Sequence, residues 1–104
     1  MKILGAIIAG GVSSRMGGRE KAFLELGGVP LIERVISRLT LQVASVVINA
    51  NGDPERFNRF AFPVLPDLQT DIGTPLAGIQ TALHHAKAKG FTVVVTVPSA
   101  SPFL

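Results

Sequence analysis

Adjacent glycines directly after an apolar run are the first chemical signal in this chain. Ile3-Leu4-Gly5-Ala6-Ile7-Ile8-Ala9 runs into Gly10-Gly11-Val12-Ser13-Ser14-Arg15-Met16-Gly17-Gly18-Arg19-Glu20-Lys21. Without a Cβ, Gly10 and Gly11 let the backbone come within hydrogen-bond distance of a ligand. Exposed backbone N–H groups in such a loop hold phosphate oxygens or a base edge. Arg15 and Lys21 bring positive charge to a polyphosphate, Arg15 as a planar fork and Lys21 as a point charge. These residue types suit displacement at the α-phosphate of a nucleotide, which needs positioning and charge neutralisation more than covalent chemistry. Arg15 and Lys21 are therefore the candidate catalytic residues. The loop is not a P-loop, because Glu20 precedes Lys21 and no Gly-Lys-Ser/Thr occurs. Nor does Gly10-Gly11 continue into the G-x-G-x-x-G spacing of the dinucleotide fold. A glycine turn carrying solvated basic side chains is the other reading of the same residues.

Charge distribution bears on the choice of ligand. The formal net charge is +3. Lys2, Arg15, Arg19 and Lys21 against Glu20 account for all of it, and the remainder of the chain balances. An excess gathered around the glycines fits a small anionic ligand. A nucleic-acid partner would call for a basic face spread along the molecule. Trp and Tyr are absent, so platforms for stacked bases are scarce. Cys is absent too, which excludes disulfides, zinc fingers and thiol catalysis. No apolar run approaches a membrane span, and the run at Leu4–Ala9 is too short for a signal-peptide core. A soluble cytoplasmic protein is the expectation, with no membrane and no nucleic acid among its partners.

The 104 residues suffice for one domain, expected over 1–104. Residues 3–9, 45–50 and 91–97 are continuous or β-branched apolar runs, as in strands covered on both faces. Residues 63–66 allow a short fourth strand. Pro30 to Gln42 has helical apolar spacing, with Pro30 suited to the first helical turn. Asp53 to Phe60 reads as a short helix with Asp53 as N-cap. Pro75 to Lys89 reads as a helix with Leu76, Ile79 and Leu83 on one stripe. Thr74 is its candidate N-cap, Lys87 and Lys89 suit its C-terminal dipole, and Gly90 is its stop. Strands alternating with helices predict a mostly parallel sheet with helices on both faces. Ligands then bind beyond the C-terminal strand ends. Gly10–Lys21, Asn49–Gly52 and Pro98–Phe103 lie there.

The run IAGGVSSRMGGREK closely resembles the L-A-G-G-x-S-x-R-M-G-x-x-K signature of the molybdenum cofactor guanylyltransferases. Further matches follow in order: ELGGVPLIERV, VVINAN, PVLPD, PLAGIQTAL and VTVPSASPFL. They span essentially the whole chain. The resemblance implies a Rossmann-like α/β/α three-layer fold of the nucleotide-diphospho-sugar transferase type, of which this chain is expected to be the N-terminal part. It implies GTP and molybdopterin as substrates, GMP transfer between them, and release of pyrophosphate. Ile8, Ala9, Gly10 and Gly11 would contact the nucleotide through the backbone, and Lys21 would neutralise its triphosphate with help from Arg15. Asn49 would hydrogen-bond the nucleotide, and Asp67 would accept from guanine or ribose. Turn and capping roles are the plainer readings of Asn49 and Asp67. His84 and His85, adjacent on a helix, read as a solvated helix side.

Two departures qualify what the resemblance implies. Mg²⁺ is expected from the family, whose usual metal-ligand Asp stands where this chain has Ala100, and Ala100 coordinates nothing. A truncated or degenerate nucleotide binder without transfer is thus the second reading. The family also continues for nearly as many residues again. An edge left uncovered invites self-association.

Overall fold

A computed structural model describes residues 2–9, 15–16, 19–51, 54–67 and 75–99. The apolar run at the start forms β1 (Ile3–Ile8), and the glycine-rich stretch contributes two short paired strands, β2 (Arg15–Met16) and β3 (Arg19–Glu20). A 3-10 turn (Lys21–Phe23) leads into β4 (Glu25–Leu26) and β5 (Val29–Pro30), which form a hairpin. Then come α1 (Leu31–Leu39), β6 (Ser45–Asn49), a 3-10 helix (Pro54–Phe60) and β7 (Val64–Leu65). The last elements are α2 (Pro75–Lys89) and β8 (Val93–Pro98).

The main sheet has the order β7-β6-β1-β8, and all its pairings are parallel. Alternation along β1 divides the core. Leu4 and Ala6 face one side with Val47, against Ala82 and Ala86 of α2. Ile7 and Ala9 face the other with Ile48, against Ile32, Val35 and Leu39 of α1 and Phe57 of the 3-10 helix. The result is a three-layer α/β/α sandwich of the Rossmann-like kind, as expected. Phe57 is fully buried, and its ring lies 5.3 Å from that of Phe23, which ties the 3-10 helix to the turn after β3.

Several local expectations give way. Pro30 is not in the first helical turn but caps it from outside, with ψ 143°, and the helix starts at Leu31. That helix stops at Leu39 rather than Gln42, because Thr40 and Gln42 close a turn onto the carbonyls of Ile36 and Leu39. The β4–β5 hairpin was not expected. Its Gly27 and Gly28 both have positive φ, 64° and 81°, which a tight hairpin turn of the primed type requires. Arg34 of α1 donates to the Leu26 carbonyl and holds this hairpin to the helix.

The largest difference concerns α2. Of the expected stripe Leu76, Ile79 and Leu83, Ile79 is half-buried, but Leu76 and Leu83 are 55% and 53% exposed. The face toward the sheet is instead Ala77, Gly78, Thr81, Ala82 and Ala86. Small residues let the helix lie close on β1 and β6, so the bulky stripe turns outward. On the opposite, α1 face of the sheet, Val93 and Val95 of β8 are left partly exposed. Asp53 and Thr74, the expected caps, lie outside the described residues.

Candidate functional site

The parallel register brings the C-terminal ends of four strands to one edge. Ile8 lies opposite both Asn49 and Pro98, and Asn49 lies opposite Leu65. The backbone continues the ladder one step further: Ala9 N–H donates to Asn49 O at 2.8 Å, Ala50 N–H to Leu65 O at 3.1 Å, and Ser99 N–H to Ile8 O at 3.1 Å. This edge is where ligands bind in open parallel sheets.

Asn49 and Asp67 are side by side at that edge. Asn49 is 2% exposed and Asp67 9%. Asn49 Nδ2 donates to Asp67 Oδ1 at 2.8 Å and to Leu65 O at 3.1 Å. Asn51, within the Asn49–Gly52 region but not among the expected site residues, supplies the other half of the arrangement. Its Nδ2 donates to Asp67 Oδ2 at 3.0 Å, and its Oδ1 accepts from Asp67 N–H at 2.9 Å. Both carboxylate oxygens are thus held by amide donors, and the backbone of Asp67 is fixed to the same Asn51. Arg56 in turn donates to the Asn51 carbonyl at 2.7 Å while stacking over Phe57 at 4.5 Å. The sequence signal for Asn51 was present in the Asn-Ala-Asn repeat after β6. Period-two alternation puts Asn49 and Asn51 on the same side of the strand line. Arg56 carried no comparable signal.

Gly78 explains why α2 approaches so closely. A Cβ there would lie 2.3 Å from Asn49 Oδ1 and 3.1 Å from Ile8 Cγ2. The first turn of α2 therefore rests on the Asn49 amide and fixes its orientation.

The other expected site residues stand as follows. Ile8 and Ala9 are at the edge, next to Asn49. Because the Ala9 N–H already bonds Asn49, a ligand contact through Ala9 falls to its carbonyl. For Arg15 and Lys21 only the backbone is described, in β2 and in the turn after β3. Gly10, Gly11 and Ala100 lie outside the described residues. His84 and His85, read as a solvated helix side, both line a cavity of about 230 Å³ that Asp67 also borders. Among the described residues no group of three or more His, Cys, Asp or Glu is arranged to hold a metal. Asp67, the carboxylate at the edge, has both oxygens committed to amides. The described residues do not fit a magnesium site. No helix among them is long and apolar enough to cross a membrane.

The chain is similar to known proteins over nearly its whole length. A model of the MobA-like NTP transferase domain matches residues 5–103. The molybdenum cofactor guanylyltransferase of Rhodobacter capsulatus is 49% identical over 105 residues, covering 100% of this chain and 54% of the relative. That of Mesorhizobium japonicum is 45% identical over 103 residues, covering 98% of this chain and 50% of the relative. The chain thus spans about half the length of the curated relatives it matches. Among solved structures, molybdopterin-guanine dinucleotide biosynthesis protein A from Archaeoglobus fulgidus superposes with a TM-score of 0.58 at 29% identity, covering 79% of this chain and 42% of that one. A CMP:2-keto-3-deoxy-manno-octonic acid synthetase complexed with CTP gives a TM-score of 0.62 at 20% identity, covering 99% of this chain and 41% of that one, and shares the fold alone. Matched from Gly5 almost to its last residue, and built on the same parallel sheet, the chain belongs to the MobA-like NTP transferase family.

Proposed function

We propose that the strand-end edge binds GTP and serves the transfer of GMP to molybdopterin. The terminal phosphate oxygen of molybdopterin attacks the α-phosphorus, the bond from that phosphorus to the bridging oxygen breaks, and pyrophosphate leaves. The Asn49–Asn51–Asp67 network carries the reading. It keeps a carboxylate fixed next to Asn49, one strand away from Ile8–Ala9, and the lone pair each oxygen retains beyond its amide donor is an acceptor for the N–H groups of guanine or a ribose hydroxyl. Cytosine offers fewer donors to such an acceptor. Gly10 and Gly11 would present backbone N–H groups to the phosphates, and Arg15 and Lys21 would neutralise them.

Ala100 favours a second reading for this chain, a guanine-nucleotide binder without transfer. Calorimetric titration separates the two. GTP and CTP are titrated into the chain with and without Mg²⁺, alongside Asp67→Asn and Ala100→Asp. The first reading expects GTP over CTP, at least about tenfold loss in Asp67→Asn, and metal-dependent affinity. The second expects the same base preference, indifference to Mg²⁺ in the parent and metal-dependence restored in Ala100→Asp. Equal binding of GTP and CTP, or full affinity in Asp67→Asn, overturns both.

A further inference from the structure

The sheet has a second concave site at its opposite edge, and the nucleotide reading makes no use of it. The N-terminal strand ends and the C-terminal turn of α2 enclose an open cleft of about 580 Å³. That lies within the usual size of small-molecule sites, roughly 300–1,000 Å³. Its mouth, at Lys2, Ser45 and Phe91, lies at the strand ends opposite to Ile8 and Asn49, while His85 borders both it and the cavity beside Asp67.

The cleft is apolar at its floor and cationic at its rim. Leu4, Val47 and Phe91 line the floor, and Lys2, His85 and Lys89 line the rim. Lys89 follows His85 by one helical turn, so both reach the same side of α2. Lys2 is anchored from the opposite side. Its carbonyl accepts from Thr92 N–H at 2.9 Å, Val93 N–H at 3.2 Å and Thr92 Oγ1 at 3.1 Å. Its ammonium sits 5.2 Å from the centre of the Phe91 ring. That cation–π contact holds the charge at the mouth of the cleft. Among the described residues no Asp or Glu lines it, so two lysines face one apolar hollow with no acidic partner in its walls. A purely apolar occupant would leave those ammonium groups partly desolvated and unmatched. A bare inorganic anion would leave the floor wet. The wall chemistry matches a molecule with both parts.

From this arrangement we propose that the cleft binds a small organic anion with an apolar body, an aryl or short alkyl frame carrying a phosphate or carboxylate. The apolar frame covers Leu4, Val47 and Phe91. The acidic group is shared by Lys2 and Lys89, with the His85 imidazole beside it.

The test is an amide NMR titration of the chain with 1-naphthyl phosphate, with 1-naphthol and inorganic phosphate as its apolar and anionic halves, each with and without GTP. The expected result is perturbation of the Ser45–Val47 and Lys89–Phe91 amides by 1-naphthyl phosphate, at least about tenfold tighter than either half, and unchanged by GTP. Lys2→Met with Lys89→Met keeps the aliphatic stems and should weaken binding about tenfold with the spectrum otherwise folded. Ser45→Trp, at an exposed position on the rim, should block it sterically with both lysines intact. The proposal is overturned if 1-naphthol binds as tightly, if both variants bind like the parent, or if GTP displaces the probe and the perturbed amides are those of residues 8–9 and 49–51. Since GTP binding reads the other edge of the sheet, failure here leaves the nucleotide reading untouched, and the reverse also holds.

Discussion

Substituting Gly78 by Ala should invert the usual effect of that change in a helix. In a helix interior Gly→Ala is worth about 1 kcal/mol of stability. Here the added methyl would stand 2.3 Å from Asn49 Oδ1 and 3.0 Å from its Cγ. Asn49 is buried and cannot swing to solvent, so its amide must turn away from Asp67 and Leu65. Two hydrogen bonds, of 2.8 and 3.1 Å, are strained or broken together. Each contributes about 1 kcal/mol net, and more when a buried partner is left unsatisfied. Crowding a packed interface adds about 1–3 kcal/mol. The balance is a loss of about 2 kcal/mol, or roughly 10 °C in Tm for a chain of this size. Urea unfolding of four proteins forms the assay: parent, Gly78→Ala, Asn49→Ala and the double variant. In the Asn49→Ala background the obstruction is gone, so the Ala at 78 should stabilise by about 1 kcal/mol, and the cycle should show a coupling of about 3 kcal/mol. If Gly78→Ala stabilises the parent, or acts alike in both backgrounds, the argument that α2 orients the Asn49 amide is refuted.

Two further outcomes test other parts of the structure. Asn51→Ala removes a donor to Asp67 Oδ2 and the acceptor of Asp67 N–H. It should cost about 1–3 kcal/mol in urea unfolding and weaken GTP about tenfold, whereas Asn51→Asp, which keeps the acceptor but faces Asp67 with a like charge, should be worse than Ala; full GTP affinity in both would remove Asn51 from the site. Self-association through the β8 edge, with Val93 and Val95 partly exposed, predicts concentration-dependent sedimentation that Val95→Lys abolishes, and a single monomeric species of the parent at all concentrations would contradict it.

Much of the sheet was legible in the sequence because buried parallel strands read as unbroken apolar runs. Ile3–Ile8 and Ser45–Asn49 needed nothing more, and Pro75 and Gly90 bracket α2 by backbone chemistry alone. The orientation of α2 was not legible. Periodicity ranks faces by bulk, and it chose Leu76 and Leu83. Close packing on a sheet selects small side chains, and the face that won is Ala77, Gly78, Thr81, Ala82 and Ala86. Asn49 and Asp67 were readable as site candidates only through family resemblance, since each alone fits a turn or a cap. Their mutual hydrogen bond joins the end of β6 to the segment after β7, and nothing local encodes that pairing. Asn51 carried a signal in its period-two spacing from Asn49, but the Asn-Gly pair that follows reads as a turn, and its bond to Asp67 is again a contact that nothing local encodes.

The pinning of Lys2 by Thr92 also sets the order of assembly. The two residues are 90 positions apart, and β1 meets β6 after about half that interval. Each doubling of a closed loop costs only about 0.6 kcal/mol, so the long closure weighs little on final stability. Its weight falls on rate, because non-local pairing is slow. During synthesis β1 can pair with β6 early while its other edge stays open until β8 has emerged. The central strand of the sheet is thus completed late, and for that interval the nascent chain presents an unpaired apolar edge, the form most prone to capture by a neighbouring chain on the same message.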